Sequence, residues 1–382
     1  MATNPNFSTG ESYDVWKTTL SANMWTNQMG ILRKYPRYPI CRRAFKQGVM
    51  ENVPSGTDLT WQIILDDTGN AEFITPYESV EYDTTDVIGT FKAPWTLLRH
   101  YHQTTVDEIN RNAGSALRLQ NLSQAKREEA AGGAFNTLEL DSWKLPTGTT
   151  EEKDKLPFGI PYTIPPITGA QVTANAVLVA AGTAVNYFQG ANASGFSYWY
   201  GVDTSLAKYA RCRSYADVWD VTDGSITEVG IDKILRMLRQ IQWQGPINAA
   251  EFESGDYDTM ALHTTDAMMT NFERKARDNN ESLGSDLGKF AGQANTKGVP
   301  YVWSPGLEAT SASTNPLVAV NLNVIKPVTL AGEFFTEDAP IKLQNKPRVI
   351  ATNIWSSYQW ICGNSMNGNR RNLGRIDSVT AA

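Results

Sequence analysis

Between Glu51 and Asp86 the sequence carries nine carboxylates (Glu51, Asp58, Asp66, Asp67, Glu72, Glu78, Glu81, Asp83 and Asp86) and no Lys or Arg. The stretch just before it, Met24 to Met50, carries Arg33, Lys34, Arg37, Arg42, Arg43 and Lys46 and no acidic residue. Two adjacent blocks of opposite sign constrain the fold, because each seeks either the other or an outside partner of complementary charge. Within the acidic block Leu59, Trp61, Ile63 and Leu65 recur at period two, which predicts a strand. Asp66-Asp67-Thr68-Gly69-Asn70 supplies turn chemistry. Residues 71–75 read as a return strand ending at Pro76, and 87–91 as a further strand. The block is therefore expected to be a long acidic hairpin. A two-stranded ribbon is marginal alone in water, so it must lie on its own body or on a neighbour.

The basic block contains Pro36 and Pro39, which argue against a helix there. The first 50 residues are expected to form an extended arm. Tyr35, Tyr38 and Phe45 lie between its charges, so the arm could touch nucleic-acid phosphates. Pairing with the acidic hairpin is the preferred reading, since the two blocks adjoin and differ in sign. Within one molecule this would be a local ion-pair cluster, and across molecules a clasp. Exposed ion pairs contribute about 0–1 kcal/mol each, so only a repeated network would matter.

A chain of 382 residues fits one elaborate domain or two to three sub-domains. Mean hydropathy is -0.36, and no apolar run approaches the roughly 18 residues of a membrane span. The N-terminal segment lacks a basic region followed by an apolar one, so no signal peptide is expected. Three widely spaced cysteines (Cys41, Cys212, Cys362) argue against a disulfide framework. A net charge of -6 is unlike that of a protein whose main task is gripping nucleic acid. Charged residues make up 19% and aromatics 10%, with 11 Trp and 15 Tyr. That balance fits either an aromatic core or interface surface.

Further along, Thr104 to Asp141 reads as a long helix. Thr104 or Thr105 is its expected cap, and Gly132-Gly133 its expected break or end. Residues 145–170 hold five prolines and read as loop. Ser225 and Glu228 form a capping box for a helix bearing Ile231, Ile234, Leu235, Leu238 and Ile241, which Gly245-Pro246 ends. A short strand is expected over 257–263, then a helix over 265–277 with Met268, Met269 and Phe272 on one side. Strands follow at 299–303 and 316–325, and a last long strand at 348–361. The tail beyond is basic, with Arg370, Arg371 and Arg375.

Signatures of catalysis are missing. There is no phosphate loop, and Gly284-Ser285-Asp286-Leu287-Gly288-Lys289 is one residue short of one. No dinucleotide fingerprint, nucleophile elbow or zinc-protease helix occurs. The histidines are His100, His102 and His263. His100 and His102 share a side of an extended segment, but nothing nearby completes a metal set. Asp217, Asp220 and Asp223 are wrongly spaced for a calcium loop. No cofactor and no enzymatic activity are expected.

The order of elements (arm, long hairpin, long helix, mixed α/β region, late strand) resembles that of the major capsid proteins of tailed bacteriophages, the Hong-Kong-ninety-seven-type shell fold. Individual segments are similar to one branch of that family: 225–246 (SITEVGIDKILRMLRQIQWQGP), 263–288, KGVPYVW at 297–303, NLNVIKPV at 321–328 and CGNSMNGNRRN at 362–372. The resemblance implies an α+β fold of five parts: N-terminal arm 1–50; extended β-hairpin, or E-loop, 51–99; peripheral domain with a spine helix 100–155; axial α/β domain 156–345; and return strand with C-terminal tail 346–382. It also implies pentamers and hexamers tiling an icosahedral shell around double-stranded DNA, assembled in a bacterial cytoplasm. The sequence shows no long charged N-terminal helix of the kind that serves as a fused scaffold, so a separate scaffolding protein, or cleavage ahead of residue 1, is expected. A portal protein, a decoration protein and weak non-specific contact with packaged DNA complete the expected partners; no membrane is among them. The hairpin residues Trp61, Ile63, Asp66 and Asp67 are expected to lie over a neighbour, with the basic arm among their partners. The rival readings are a tail-tube or sheath subunit and, further off, a carbohydrate-binding or hydrolytic protein.

Overall fold

The computed structural model describes residues 39–378, apart from 46–49, 65–87, 113–115, 147–155, 167–187, 190–197, 205, 207–208, 210–211, 220–225, 227, 242–259, 281–294, 312–314, 344–345 and 363–369. In chain order the elements are α1 (Pro39–Ala44), β1 (Glu51–Val53), β2 (Asp58–Ile64), β3 (Ile88–Pro94), β4 (Thr96–Thr105), α2 (Val106–Asn112), α3 (Ala116–Ser142) and α4 (Ile160–Thr163). Next come β5 (Phe188–Gln189), β6 (Ser214–Trp219), α5 (Glu228–Gln240), β7 (Met260–Thr264), α6 (Asp266–Asn280), β8 (Asn295–Thr296), β9 (Val299–Trp303) and α7 (Pro305–Thr310). The last are β10 (Leu317–Asn321), β11 (Ile325–Glu337), β12 (Ile341–Leu343), β13 (Lys346–Cys362), a 3-10 turn (Arg370–Asn372) and β14 (Gly374–Ser378). The fold is mixed α+β.

The chain divides into two compact units. The described part of one comprises Leu97–Thr137 and Gly332–Ser356; the other is drawn from Arg37–Thr96, Leu138–Ala331 and Ser357–Ala382. The second unit holds a seven-stranded sheet in the order β5-β6-β14-β10-β7-β9-β8. Its two edge strands are each two residues long, which limits the unpaired backbone offered to other chains. Helix α5 packs on this sheet through Ile234, Met237 and Leu238, and α6 through Met268 and Phe272; together with Tyr215, Leu262, Leu317 and Ile376 they form one core. The apolar stripe of α5 reads as the period requires, and Met237 belongs to it as well. A second sheet runs β1-β11-β13-β12, with β4 also on β13, and among the described residues β2 pairs only with β3.

Several sequence expectations change. The stretch 39–44 is a helix, not extended chain. Proline is tolerated in a first helical turn because its missing N–H would lack an intrahelical partner anyway. The capping groups come from far along the chain, as described below. Thr105 does cap α2: its Oγ1 accepts from the Glu108 amide at 3.2 Å, and its own amide donates to Glu108 Oε2 at 2.9 Å. Gly132-Gly133 neither breaks nor ends α3, which continues to Ser142. The intrinsic cost of about 1 kcal/mol per helical glycine is outweighed where the flanking Ala130, Ala134 and Leu138 are buried. One buried helical turn, α4, lies within the proline-rich loop region.

The strand expected over 316–325 is two strands. Asn321 Oδ1 accepts the Asn323 amide at 3.0 Å, and Val324 N–H donates to Asn321 O at 3.0 Å. This side-chain-closed turn separates β10 from β11. The strand over 346–362 is not the last, because β14 follows and lies between β6 and β10. Within the basic tail Arg370 and Arg375 are buried, at 0% and 2% exposed. The cap residue Ser225, the terminator Gly245-Pro246 and the return strand at 71–75 lie outside the described residues.

Candidate functional site: the ribbon base and the N-terminal helix

The partner of β2 is β3, in register from Asp58↔Pro94 to Ile64↔Ile88. Alternation decides which face is buried. Leu59, Trp61, Phe91 and Ala93 point inward, while Thr60, Gln62, Thr90 and Lys92 face out. Ile63 is half-buried and Ile88 is 50% exposed. Asp66 and Asp67 lie outside the described residues. Lys92 Nζ meets Asp58 Oδ2 at 2.8 Å near the open end of the ribbon.

Trp61 is buried in its own chain. Its ring stacks on Phe91 (centroids 5.9 Å, planes 19° apart) and meets Tyr200 edge-on at 5.0 Å. Its Nε1–H donates to Cys362 O at 3.2 Å. Phe91 in turn meets Trp199 at 5.4 Å. Each such aromatic pair adds about 0.5–1.5 kcal/mol beyond area burial. The abundance of Trp and Tyr thus builds, at least here, an internal core.

Tyr200 is the hub of that cluster. Its amide donates to Tyr162 Oη at 2.8 Å, and its own hydroxyl donates to Trp360 O at 2.8 Å. Its carbonyl accepts the Lys92 amide at 3.0 Å, tying the ribbon to this loop. Tyr200 has φ of +50° and is followed by Gly201 at +86°, so the chain doubles back here. Burial pushes the Tyr200 phenol well above its ordinary range and the Tyr162 phenol up to about 12. Both hydroxyls are neutral hydrogen-bonding groups. Below them sits Arg370, whose Nε–H donates to Thr163 O at 2.6 Å and Nη1–H to Cys212 O at 3.3 Å. Its guanidinium lies 4.8 Å from the Trp199 ring centroid. Burial lowers Arg370 to about 10, which leaves it charged at neutral pH. The cation is held by backbone carbonyls and a ring face, donors' partners that a sequence does not reveal.

On the basic side, Arg33, Lys34, Arg37 and Lys46 lie outside the described residues, as does the side chain of Arg42. Helix α1 carries Arg42 and Arg43, and Arg43 is half-buried. The amides of Ile40 and Cys41 donate to Glu139 Oε2 at 3.1 and 2.9 Å. Glu139 is 2% exposed and sits in the last turns of α3. It satisfies two of the four amides that the start of any helix leaves open. Burial raises its carboxyl, against the opposing pull of these hydrogen bonds.

Two further buried polar sites escaped sequence reasoning. His263 Nδ1 lies 2.7 Å from Ser304 Oγ, and its ring meets Trp143 at 5.4 Å. Arg375 Nε–H donates to Asp377 Oδ2 at 2.6 Å, with both side chains almost fully buried. Neither pair has a spacing that signals it: one joins residues 41 positions apart, and the other reads as an ordinary i, i+2 charge pair. Among the described residues no group of three or more His, Cys, Asp and Glu is placed to hold a metal ion. Among the same residues no helix is long and apolar enough to cross a membrane.

No protein-family model matches the chain. No curated protein matches it in sequence. Solved structures do match. The capsid asymmetric unit of cyanophage A-1(L) superposes with a TM-score of 0.61 at 14% identity, covering 96% of this chain and 99% of that one. The capsid of the native GTA particle superposes with a TM-score of 0.50 at 10% identity, covering 99% and 100%. At such identities the likeness is one of fold, and it extends over both chains from end to end. The fold of this chain is that of phage capsid proteins, as the order of its sequence elements implies.

Proposed function

We propose that this chain is the major capsid protein of a tailed bacteriophage, a structural subunit and not an enzyme. In this reading it assembles into pentamers and hexamers of an icosahedral shell around double-stranded DNA. The observation that carries the reading is the end-to-end likeness to the cyanophage capsid chain, which covers 96% of this chain and 99% of that one. A shell subunit needs several different contact surfaces on one chain and gains stability by closure. The five-part division inferred from the sequence belongs to this proposal, including the spine helix within 100–155 and the E-loop within 51–99.

The ribbon base supports a specific version of the clasp. Because Trp61 is fixed inside its own subunit, the ribbon is anchored at β2 and β3. The contact with a neighbour then falls to the acidic residues beyond, Asp66 and Asp67 among them. The basic arm (Arg33, Lys34, Arg37, Arg42, Arg43 and Lys46) is the proposed counterpart. A separate scaffolding protein, a portal protein and a decoration protein are the proposed partners, in a virion assembled in a bacterial cytoplasm. A net charge of -6 suits a container that touches its DNA weakly.

The test is negative-stain electron microscopy of the chain expressed alone and with candidate scaffold proteins, with light scattering alongside. Closed particles, or sheets of pentamers and hexamers, are the expected result. Open tubes under all these conditions would overturn the shell reading in favour of a tail subunit.

A further inference from the structure

Among the described residues three that are not glycine have positive φ: Tyr200, Lys297 and Phe335. Tyr200-Gly201 lies between the bridged pair Trp199 and Val202, and Lys297-Gly298 between the paired Thr296 and Val299. Each is a two-residue turn, and the tight form of such turns needs positive φ at both central positions. Phe335 has no such reason. It lies inside β11 with φ of +55°, three residues after Gly332 at +81°. A bulky residue in that region is an outlier and persists only where its surroundings hold it.

The surroundings do hold it. A regular strand sends neighbouring side chains to opposite faces. Here the rings of Phe334 and Phe335 meet edge to face at 4.9 Å. The Phe335 ring stacks on Phe135 of α3, with centroids 5.1 Å and planes 28° apart. The Phe335 amide donates to Ser356 Oγ of β13 at 3.0 Å, and Ser356 is buried. Thr336 Oγ1 donates to Gly332 O at 2.6 Å and closes the kink. Just beyond, Arg127 of α3 meets Glu337 Oε2 at 2.5 Å. All these residues belong to one compact unit.

We propose that Gly332–Phe335 is a two-state clip on α3: in one state the left-handed Phe335 lays its ring on Phe135, and in the other β11 regains regular alternation and lets α3 go. Regular alternation separates the Phe334 and Phe335 rings and takes Phe335 off Phe135. The contacts and the backbone therefore change together, which is what makes a packed element bistable and not gradually deformable. Backbone strain favours release. The aromatic stack and the Ser356 hydrogen bond oppose it. The Arg127–Glu337 pair is largely exposed on the Arg127 side and contributes little. The clip depends on this unit alone and stands whether or not the chain builds a shell.

The experiment is hydrogen exchange of the full chain at one pH, following the amides of residues 332–338. Gly332→Ala penalises only the clipped state, because nothing lies within 4 Å of the added carbon and φ is +81°. It is expected to raise the open fraction about five- to thirtyfold, the weight of one left-handed residue that is not glycine. Phe135→Ala removes the stack and should raise it about two- to tenfold. The decisive comparison is Phe335→Gly against Phe335→Ala. Both lose the ring, and in a regular strand glycine is the weaker of the two. In the clip the glycine variant is expected to be better protected, by about fivefold or more. Alanine protecting as well as glycine overturns the proposal, and so does unchanged exchange in Gly332→Ala. An equal rise in α5 would mark general unfolding and overturns it too. If the Phe335 variants do not fold, Gly332→Ala decides, since Gly332 is exposed.

Discussion

Glu139 and Cys41 are 98 positions apart in sequence, yet Glu139 Oε2 lies 2.9 Å from the Cys41 amide nitrogen. One carboxylate thereby starts one helix while belonging to the end of another. Glu139→Ala leaves the Ile40 and Cys41 amides buried without acceptors. The expected loss is about 1–3 kcal/mol, the cost of orphaning buried donors. Glu139→Gln retains an acceptor and should lose less. Urea unfolding of the two variants, followed by tryptophan fluorescence, checks the order.

Trp61 fixes the ribbon base by stacking on Phe91 and donating to Cys362 O. Trp61→Ala is expected to destabilise the chain by about 3–5 kcal/mol, as for large-to-small changes at buried aromatics. Trp61→Phe keeps most of the ring packing and removes the donor, so about 1 kcal/mol is expected. Chemical denaturation measures both. If the ribbon is a subunit contact, particle yield of Trp61→Phe should remain near wild type, since the anchoring is retained.

Gly159 precedes α4, and a β-carbon there would lie 2.6 Å from Lys144 O and 2.7 Å from Ser142 O. Both obstacles are backbone atoms and cannot rotate away. Gly159→Ala is expected to cost about 1–3 kcal/mol, the range for forcing a methyl into packed structure. Gly332, where nothing lies within 4 Å but φ is +81°, makes a useful contrast: there any penalty comes from backbone conformation alone. Thermal unfolding of the two alanine variants distinguishes steric from conformational cost.

The Arg375–Asp377 pair is sealed in the seven-stranded sheet, with Arg375 Nη2 also 3.5 Å from Ser311 Oγ. Removing one member strands the other. Asp377→Ala is expected to cost about 3–5 kcal/mol. Replacing both residues by Leu should cost much less, because no uncompensated charge remains. A double-mutant cycle by denaturant unfolding is the measurement, and a double variant as unstable as the worse single would count against the pairing.

All three cysteines are free and buried, and burial pushes each thiol up, with Cys212 at about 11. The thiolate is the reactive form. At neutral pH a thiol reagent should modify none of them on the timescale of free cysteine and all of them after unfolding. Raising the pH toward that of a free thiol should not bring reaction forward unless the chain opens.

Much of the fold was legible in the sequence because it rests on local periodicity. The alternation through Leu59, Trp61 and Ile63 gave β2 its buried face, and the spacing of Ile234 and Leu238 gave α5 its own. Thr105, one of the two caps expected, does start a helix, with Glu108 bonding back to it. The misjudged elements are those where a local preference met a distant partner. Pro39 suggested extended chain, but Glu139 supplies the cap for a helix there. Gly132-Gly133 suggested a break, but the helix continues between buried neighbours. The basic tail gave no sign that carbonyls of Thr163 and Cys212 and the carboxylate of Asp377 receive Arg370 and Arg375 inside.

The sequence by itself determined the two core faces on α5 and α6 and the segregation of charge between residues 24–50 and 51–86, since each depends on residues within a few positions of one another. Only the tertiary structure decided that Trp61 faces Tyr200 and Cys362 of its own chain, that His263 meets Ser304, and that β14 enters the sheet between β6 and β10. Those pairings are set by which surfaces exclude water together, a property of the assembled core that no run of neighbouring residues encodes.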